Sequence, residues 1–230
     1  MKNIPNHVGL IMDGNRRWAA IRGLSAIKGH NHGARNVKRI VEKSILLGID
    51  ELSIFAFSTE NGHRLKKETT AIFKIFERYL NSEIAELNKN NVRLKVVGFL
   101  NKGHENLSKL VDKAETLTKN NSGLKLNVAI NYGGRLDVIH ATKKIASLVK
   151  NNKLDINQIN EKVFYNNLIT NYISNIDFLI RTSGEQRISN FMIWQLVYSE
   201  LYFTETLWPD FDENEFIKAI NAYSKRDRRF

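Results

Sequence analysis

Residues 7–19 read HVGLIMDGNRRWA. The unbroken apolar run 8–12 predicts a buried strand. Asp13-Gly14-Asn15 is a turn signal, so a carboxylate stands at the carboxyl end of that strand. Arg16, Arg17 and Trp18 follow at once. An acid, a permissive backbone, two guanidinium groups and a large ring are thus gathered in one short stretch. The combination suits a magnesium-bound diphosphate beside an apolar group. The plainer reading is a strand-to-helix turn with solvated arginines.

Downstream, Val37, Ile40, Val41 and Ile45 fall at helical spacing within residues 29–47. Gly29-His30 opens that segment, where free N–H groups favour an anion, and Gly48 closes it as a C-cap. Residues 51–57, ELSIFAF, predict a second strand, ending in the polar run 58–64, STENGHR. A long amphipathic helix is expected over 67–88 and a third strand over 93–98. Leu107, Leu110, Val111, Ala114 and Leu117 mark another helix. Strand 124–132, the turn Gly133-Gly134-Arg135 and a helix through Ile139, Ile145 and Leu148 follow. A short helix is expected near 163–168. Residues 177–181 and 200–203 read as strands. Asp212, with Glu215 three residues on, reads as the capping box of the final helix, and residues 225–230 form a basic tail. Strands and helices alternate throughout. This predicts one α/β domain over residues 1–230, with a mainly parallel sheet covered on both faces.

The 230 residues suffice for one well-buried core, and 42% apolar content excludes disorder as the main state. With no cysteine, disulfides, thiolate metal sites and cysteine nucleophiles are excluded. No apolar run approaches the length of a membrane span, and the N-terminus lacks the order of a signal peptide. A soluble, cytoplasmic protein is the expectation. The net charge of +11 asks for an anionic partner: nucleic acid, a membrane surface or a multiply charged small substrate. Lys66-Lys67 and Lys143-Lys144 read as solvated surface. Arginines beside Gly, Asn and Ser read as phosphate grips.

In parallel sheets ligands bind beyond the carboxyl ends of the strands. The loops 13–18, 58–64 and 181–189 are all expected there, bringing Arg16, Arg17, Arg64, Arg181 and Arg187 to one edge. The acids nearby, Asp13, Glu60, Glu185 and Glu200, read as too few and too dispersed to pair them all, so a bound polyanion is expected to do so. Asp13, alone or with Glu200, suffices for magnesium completed by phosphate oxygens and water. There is no DDxxD run, Walker loop, zinc pattern or GxSxG elbow. His30 reads either as a phosphate donor or as a helix cap. Ala56, Phe57, Ile72, Phe76 and strand 124–130 are expected to form an apolar slot behind these loops.

The segments HVGLIMDGNRRWA, FAFSTEN, NVAINYGGRLD, RTSGEQRISNFMIWQ and ELYFTETLWPDF resemble the cis-prenyltransferase family, its bacterial members above all, over nearly the whole chain. The resemblance implies a cytoplasmic homodimer built on a six-stranded, mainly parallel sheet with an apolar product tunnel. It implies magnesium-dependent, sequential cis-condensation of isopentenyl diphosphate onto farnesyl diphosphate, giving a long polyprenyl (undecaprenyl) diphosphate as lipid carrier precursor for the cell wall. Peripheral contact with the inner face of a membrane would serve product release. By position, Asp13 matches the magnesium-linked catalytic aspartate. Gly14, Asn15, Arg16, Arg17, Trp18 and His30 match the loop holding the allylic diphosphate. Ser58, Thr59, Glu60 and Arg64 match a second substrate loop, with Asn61 as the catalytic amide. Arg181, Arg187, Ile188 and Ser189 match the isopentenyl diphosphate grip, and Glu200 the second magnesium carboxylate, offered across the dimer.

The chain departs from the family at Ala26, where an arginine is usual, at Gly62, usually tryptophan, and at Gln186, usually histidine. Loss of arginine and tryptophan contacts predicts weaker allylic diphosphate binding. Two other functions compete. A non-catalytic partner subunit on the same fold would have no use for Asp13, Asn61 and Glu200. A nucleic-acid-binding protein would show interleaved basic and aromatic residues, which this sequence lacks.

Overall fold

The structure, a computed structural model, describes residues 3–60, 66–99 and 105–227. Asn61, Gly62 and Arg64 lie outside the described residues. The opening apolar run forms β1 (His7–Ile11). It is joined by β2 (Glu51–Ser58), β3 (Arg93–Val97), β4 (Lys125–Tyr132), β5 (Phe178–Arg181) and β6 (Glu200–Phe203) in one sheet of order β3-β4-β2-β1-β5-β6. Every pairing is parallel. The helices are α1 (Asn15–Ile21), α2 (Ala26–Leu47), α3 (Lys66–Lys89), α4 (Glu105–Thr118), α5 (Gly134–Lys150), α6 (Glu161–Asn167) and α7 (Glu213–Ser224).

Both faces of the sheet are covered, so the central strands β1 and β5 are buried along their whole length rather than on alternate residues. Val8, Leu10, Ile54, Val128 and Ile180 belong to one core cluster, and their chain neighbours Ile11, Phe55, Ala129 and Leu179 to another on the opposite face. Asp212 caps α7 as expected, its Oδ1 accepting from the N–H groups of Asn214 and Glu215 at 2.9 Å. The side chain of Glu215 bonds Lys218 instead of closing a box.

Two local readings change. Residues 15–18, expected within the polar loop 13–18, belong to the helix α1. Its N-cap is Gly14, which has no capping side chain to betray it. The helix α2 begins at Ala26 with Ser25 as its cap, three residues before Gly29. The Gly29 N–H is therefore committed to Ser25 O and does not serve an anion. Glycine is needed there for close packing: a Cβ would lie 2.1 Å from Asn15 O.

Candidate active site

β1 and β5 are neighbours, with Ile11 opposite Arg181. The chain leaves β1 toward β2 on one side and leaves β5 toward β6 on the other. Such a reversal opens a crevice at the carboxyl end of a parallel sheet. Asp13 stands at this point. Its N–H donates to Thr182 Oγ1 at 2.9 Å, and the Thr182 hydroxyl donates back to Asp13 O at 2.7 Å. Gly14 N–H donates to Oδ1 at 2.7 Å and Arg181 Nη2 to Oδ2 at 2.8 Å. The Arg181 side chain is buried, and its Nη1 donates to Arg187 O and to Ser189 Oγ, both at 2.5 Å. Among the described residues its Nε is buried without a hydrogen-bond partner, as is Asn15 Oδ1. A buried guanidinium N–H left unsatisfied is suited to an anionic oxygen.

The other cations are paired more fully than the sequence suggests. Arg17 Nη2 donates to Ser183 O and Oγ at 2.7 Å and reaches Glu185 at 3.3 Å, and Glu185 also holds Arg187. Glu68, which the sequence reading passes over, lies 3.7 Å from Arg16 and 3.1 Å from His30 Nε2. Among the described residues the expectation of several unpaired arginines is thus replaced by ion pairs to Asp13, Glu68 and Glu185. Arg16, Arg17 and Arg187 remain more than half exposed. The exposed pairs of Arg17 and Arg187 with Glu185 contribute about 0–1 kcal/mol each, so a diphosphate can replace Glu185 at small cost, whereas Glu68 is buried.

The loop after β2 reaches the same edge. Ser58 Oγ donates to Glu60 Oε2, and Asn190 Nδ2 donates to Glu60 Oε1 at 2.6 Å. Burial alone would push the Glu60 carboxyl up. Hydrogen bonds from Ser58, its own N–H, Asn190 and Thr59 outweigh that and hold it below the ordinary carboxylate range.

Other predicted site residues face elsewhere. The Trp18 ring is buried 4.6 Å from His32 of α2, and its Nε1–H donates to Asp210 Oδ1 at 2.7 Å, tying α1 to the turn at 208–210. Ile188 packs on the second core cluster. Glu200 begins β6 opposite Phe178, the amino end of the sheet, where Arg226 holds it at 2.5 Å. Asp13 follows the carboxyl end of β1, so one chain does not bring the two acids together. Among the described residues no three His, Cys, Asp or Glu side chains group as a metal site. Asp13, 35% exposed, fits a hard divalent cation completed by ligand oxygens and water, not a protein cage.

Met12 and Asn15, on either side of Asp13, open onto a cavity of about 170 Å³ between α2, α3 and the sheet. Ala56, Ile72, Phe76, Leu126 and Val128 line it, and Leu87, Val92 and Leu94 extend the lining. Phe57, Leu124 and Ile130, expected in the slot, belong to the packed core beside it. Lys38 and Glu83 pair at 3.0 Å on the α2–α3 side.

Glu68, Thr182 and Asn190 carry no local signal; their partners are distant in the chain. No helix among the described residues is long and apolar enough to cross a membrane.

Residues 11–230 match the prenyltransferase family model described as "Putative undecaprenyl diphosphate synthase". A ditrans,polycis-undecaprenyl-diphosphate synthase of Pasteurella multocida, specific for (2E,6E)-farnesyl diphosphate, is 47% identical over 99% of this chain and 95% of its own. The Haemophilus influenzae enzyme of the same name is 45% identical with the same coverage. Among solved structures, lavandulyl diphosphate synthase from Lavandula x intermedia, in complex with dimethylallyl diphosphate, superposes with a TM-score of 0.94. It is 39% identical and covers 98% of this chain and 97% of its own. A probable undecaprenyl diphosphate synthase from Campylobacter jejuni superposes at 0.81, with 33% identity and full coverage of both chains. By fold and by sequence over nearly its whole length, the chain belongs to the undecaprenyl diphosphate synthase family of cis-prenyltransferases.

Proposed function

We propose that this protein condenses isopentenyl diphosphate onto farnesyl diphosphate, repeatedly and with cis geometry, to give undecaprenyl diphosphate, the lipid carrier precursor for cell-wall synthesis. The carrying observation is the Asp13–Arg181 pair at the head of an apolar cavity that starts at Met12 and Asn15. Such a site takes a charged head and a hydrocarbon tail together. The names of the relatives agree with this reading.

In each cycle the C1–O bond of the allylic diphosphate breaks, and its electron pair leaves on diphosphate. C4 of isopentenyl diphosphate bonds to C1, and C2 loses a proton as the new double bond forms. Charge grows on the departing diphosphate, so Arg16, Arg17 and His30 act most strongly in the transition state. Arg181, Arg187 and Ser189 orient the second diphosphate. Bound magnesium would neutralise part of the leaving-group charge, held by Asp13 and by Glu200 of a second copy. Asn61 positions the reacting groups while a diphosphate oxygen takes the proton, an amide being too weak a base. The cavity serves as the product tunnel.

A homodimer is supported by β6, which ends the sheet beside the exposed side chains of Val197, Tyr198 and Leu201. The high positive charge and the chemistry of the product support a peripheral membrane contact. Incubation with magnesium, farnesyl diphosphate and labelled isopentenyl diphosphate, followed by sizing of the products, tests the reading. A chain of eleven isoprene units, the length the name undecaprenyl states, is expected. Absence of diphosphate release would overturn the enzyme reading in favour of a partner subunit.

A further inference from the structure

We propose that Asn190 is a positioning residue that fastens the loop after β2 to the isopentenyl diphosphate grip after β5. The inference rests on the functional reading above. Asn190 uses three groups at once. Its carbonyl oxygen accepts from Gly134 N–H and its Oδ1 from Arg135 N–H, both at 2.8 Å. These are the first two residues of α5, whose own N-cap, Gly133, offers no side chain. Its Nδ2 donates to Glu60 Oε1 at 2.6 Å. Gly133 lies in the same knot: a Cβ there would sit 2.5 Å from Thr59 Oγ1 and 2.9 Å from Asn190 Nδ2.

The loops after β2, β4 and β5 therefore meet at one side chain. On one side of Asn190, Ser189 accepts from Arg181, which holds Asp13. On the other side Glu60 is locked to Ser58. Polar contacts, carried through the Ser189–Asn190 peptide bond, thus link Asp13 to the loop after β2. Asn190 has a φ of 62°, a left-handed conformation that Asn and Asp tolerate best among residues with a side chain.

The two halves of the amide separate the two roles. In Asn190→Asp one carboxylate oxygen still accepts from Arg135 N–H, and a negative charge suits a helix N-terminus, so the cap survives. The other oxygen faces the Glu60 carboxylate, and the link becomes a repulsion. In Asn190→Asp/Glu60→Gln the donor and acceptor exchange places and the hydrogen bond returns.

The experiment is a double-mutant cycle of the full chain: unsubstituted, Asn190→Asp, Glu60→Gln and both together. The KM for isopentenyl diphosphate, its calorimetric affinity without catalysis, and the thermal midpoint are measured on each. Asn190→Asp is expected to keep its melting midpoint and to weaken isopentenyl diphosphate about tenfold, within the range for contacting polar side chains. In the Glu60→Gln background the same substitution should cost nothing, whatever Glu60→Gln costs by itself. An equal loss in both backgrounds, or no loss in either, overturns the proposal. If the unsubstituted chain binds isopentenyl diphosphate but makes no product, the enzyme reading fails while the binding cycle still decides the role of Asn190. If it binds no isopentenyl diphosphate, both fall together.

Discussion

Arg181 reaches Asp13 from the neighbouring strand, Nη2 to Oδ2 at 2.8 Å, with the cation 4% and the acid 35% exposed. The protein keeps the guanidinium dry and leaves the carboxylate in reach of solvent and ligand. Asp13→Asn would retain the acceptor for Gly14 N–H but set an amide N–H against the Arg181 donors. A stability loss of about 1–3 kcal/mol is expected from the unsatisfied buried group. Product formation should fall about 10²–10³-fold or more, as for removal of a group that organises transition-state charge. Denaturant melts and initial rates on the same preparations check both. Reduced stability with an intact rate would make Asp13 a structural counter-ion only.

Much of this edge is readable from the letters because strand and turn chemistry are local. The apolar run of β1 and the turn at Asp13 to Asn15 announce where a parallel strand ends, and the same holds for the polar residues 58–60 at the end of β2 and 183–185 after β5. What stays hidden is whatever depends on which loop meets which. Glu68 reaches His30 across 38 positions and Asn190 reaches Glu60 across 130, with no periodicity to link them. Glu200 illustrates a different gap. Its strand is legible, but only the pairing with Phe178 shows that it lies at the far end of the sheet from Asp13.

That placement gives Glu200 a sharp test. Asp13→Ala and Glu200→Ala are each expected to be nearly inactive. If the two acids meet across a two-fold dimer, mixing the variants and letting subunits exchange restores one intact site in every mixed dimer. About a quarter of all sites then recover, by the statistics of a symmetric pair. Steady-state rates before and after exchange provide the measurement. A mixture no more active than its components would show that the acids do not cooperate between subunits.

Ala56 lines the cavity at the β2 wall, opposite Ile72 and Phe76 of α3. Ala56→Leu adds bulk facing empty space, where the usual overpacking penalty of about 1–3 kcal/mol is partly avoided. The first condensations should proceed at the normal rate. The product distribution should shift to shorter chains, because the growing tail meets the added branch. Chromatographic sizing of the lipids tests this. An unchanged length distribution with a folded, active variant would place the growing chain outside the cavity.

Asp137, in the first turn of α5, is 2% exposed. Burial raises its pKa, against hydrogen bonds from the Thr170 hydroxyl, Ile169 N–H and the Tyr132 hydroxyl that lower it in part. A carboxyl raised on folding takes up a proton when the chain folds. Its contribution is fully present below the unfolded value of about 3.9 and is lost as pH rises through the folded value. Asp137→Asn removes this proton linkage while keeping an acceptor for Ile169 N–H. The stability of the unsubstituted protein relative to the Asn variant should therefore increase as pH falls from neutral toward 4. Urea melts of both proteins across that range measure the difference. A gap that stays constant with pH, or narrows on acidification, would mean that Asp137 titrates at or below its unfolded value, and that its hydrogen bonds outweigh its burial.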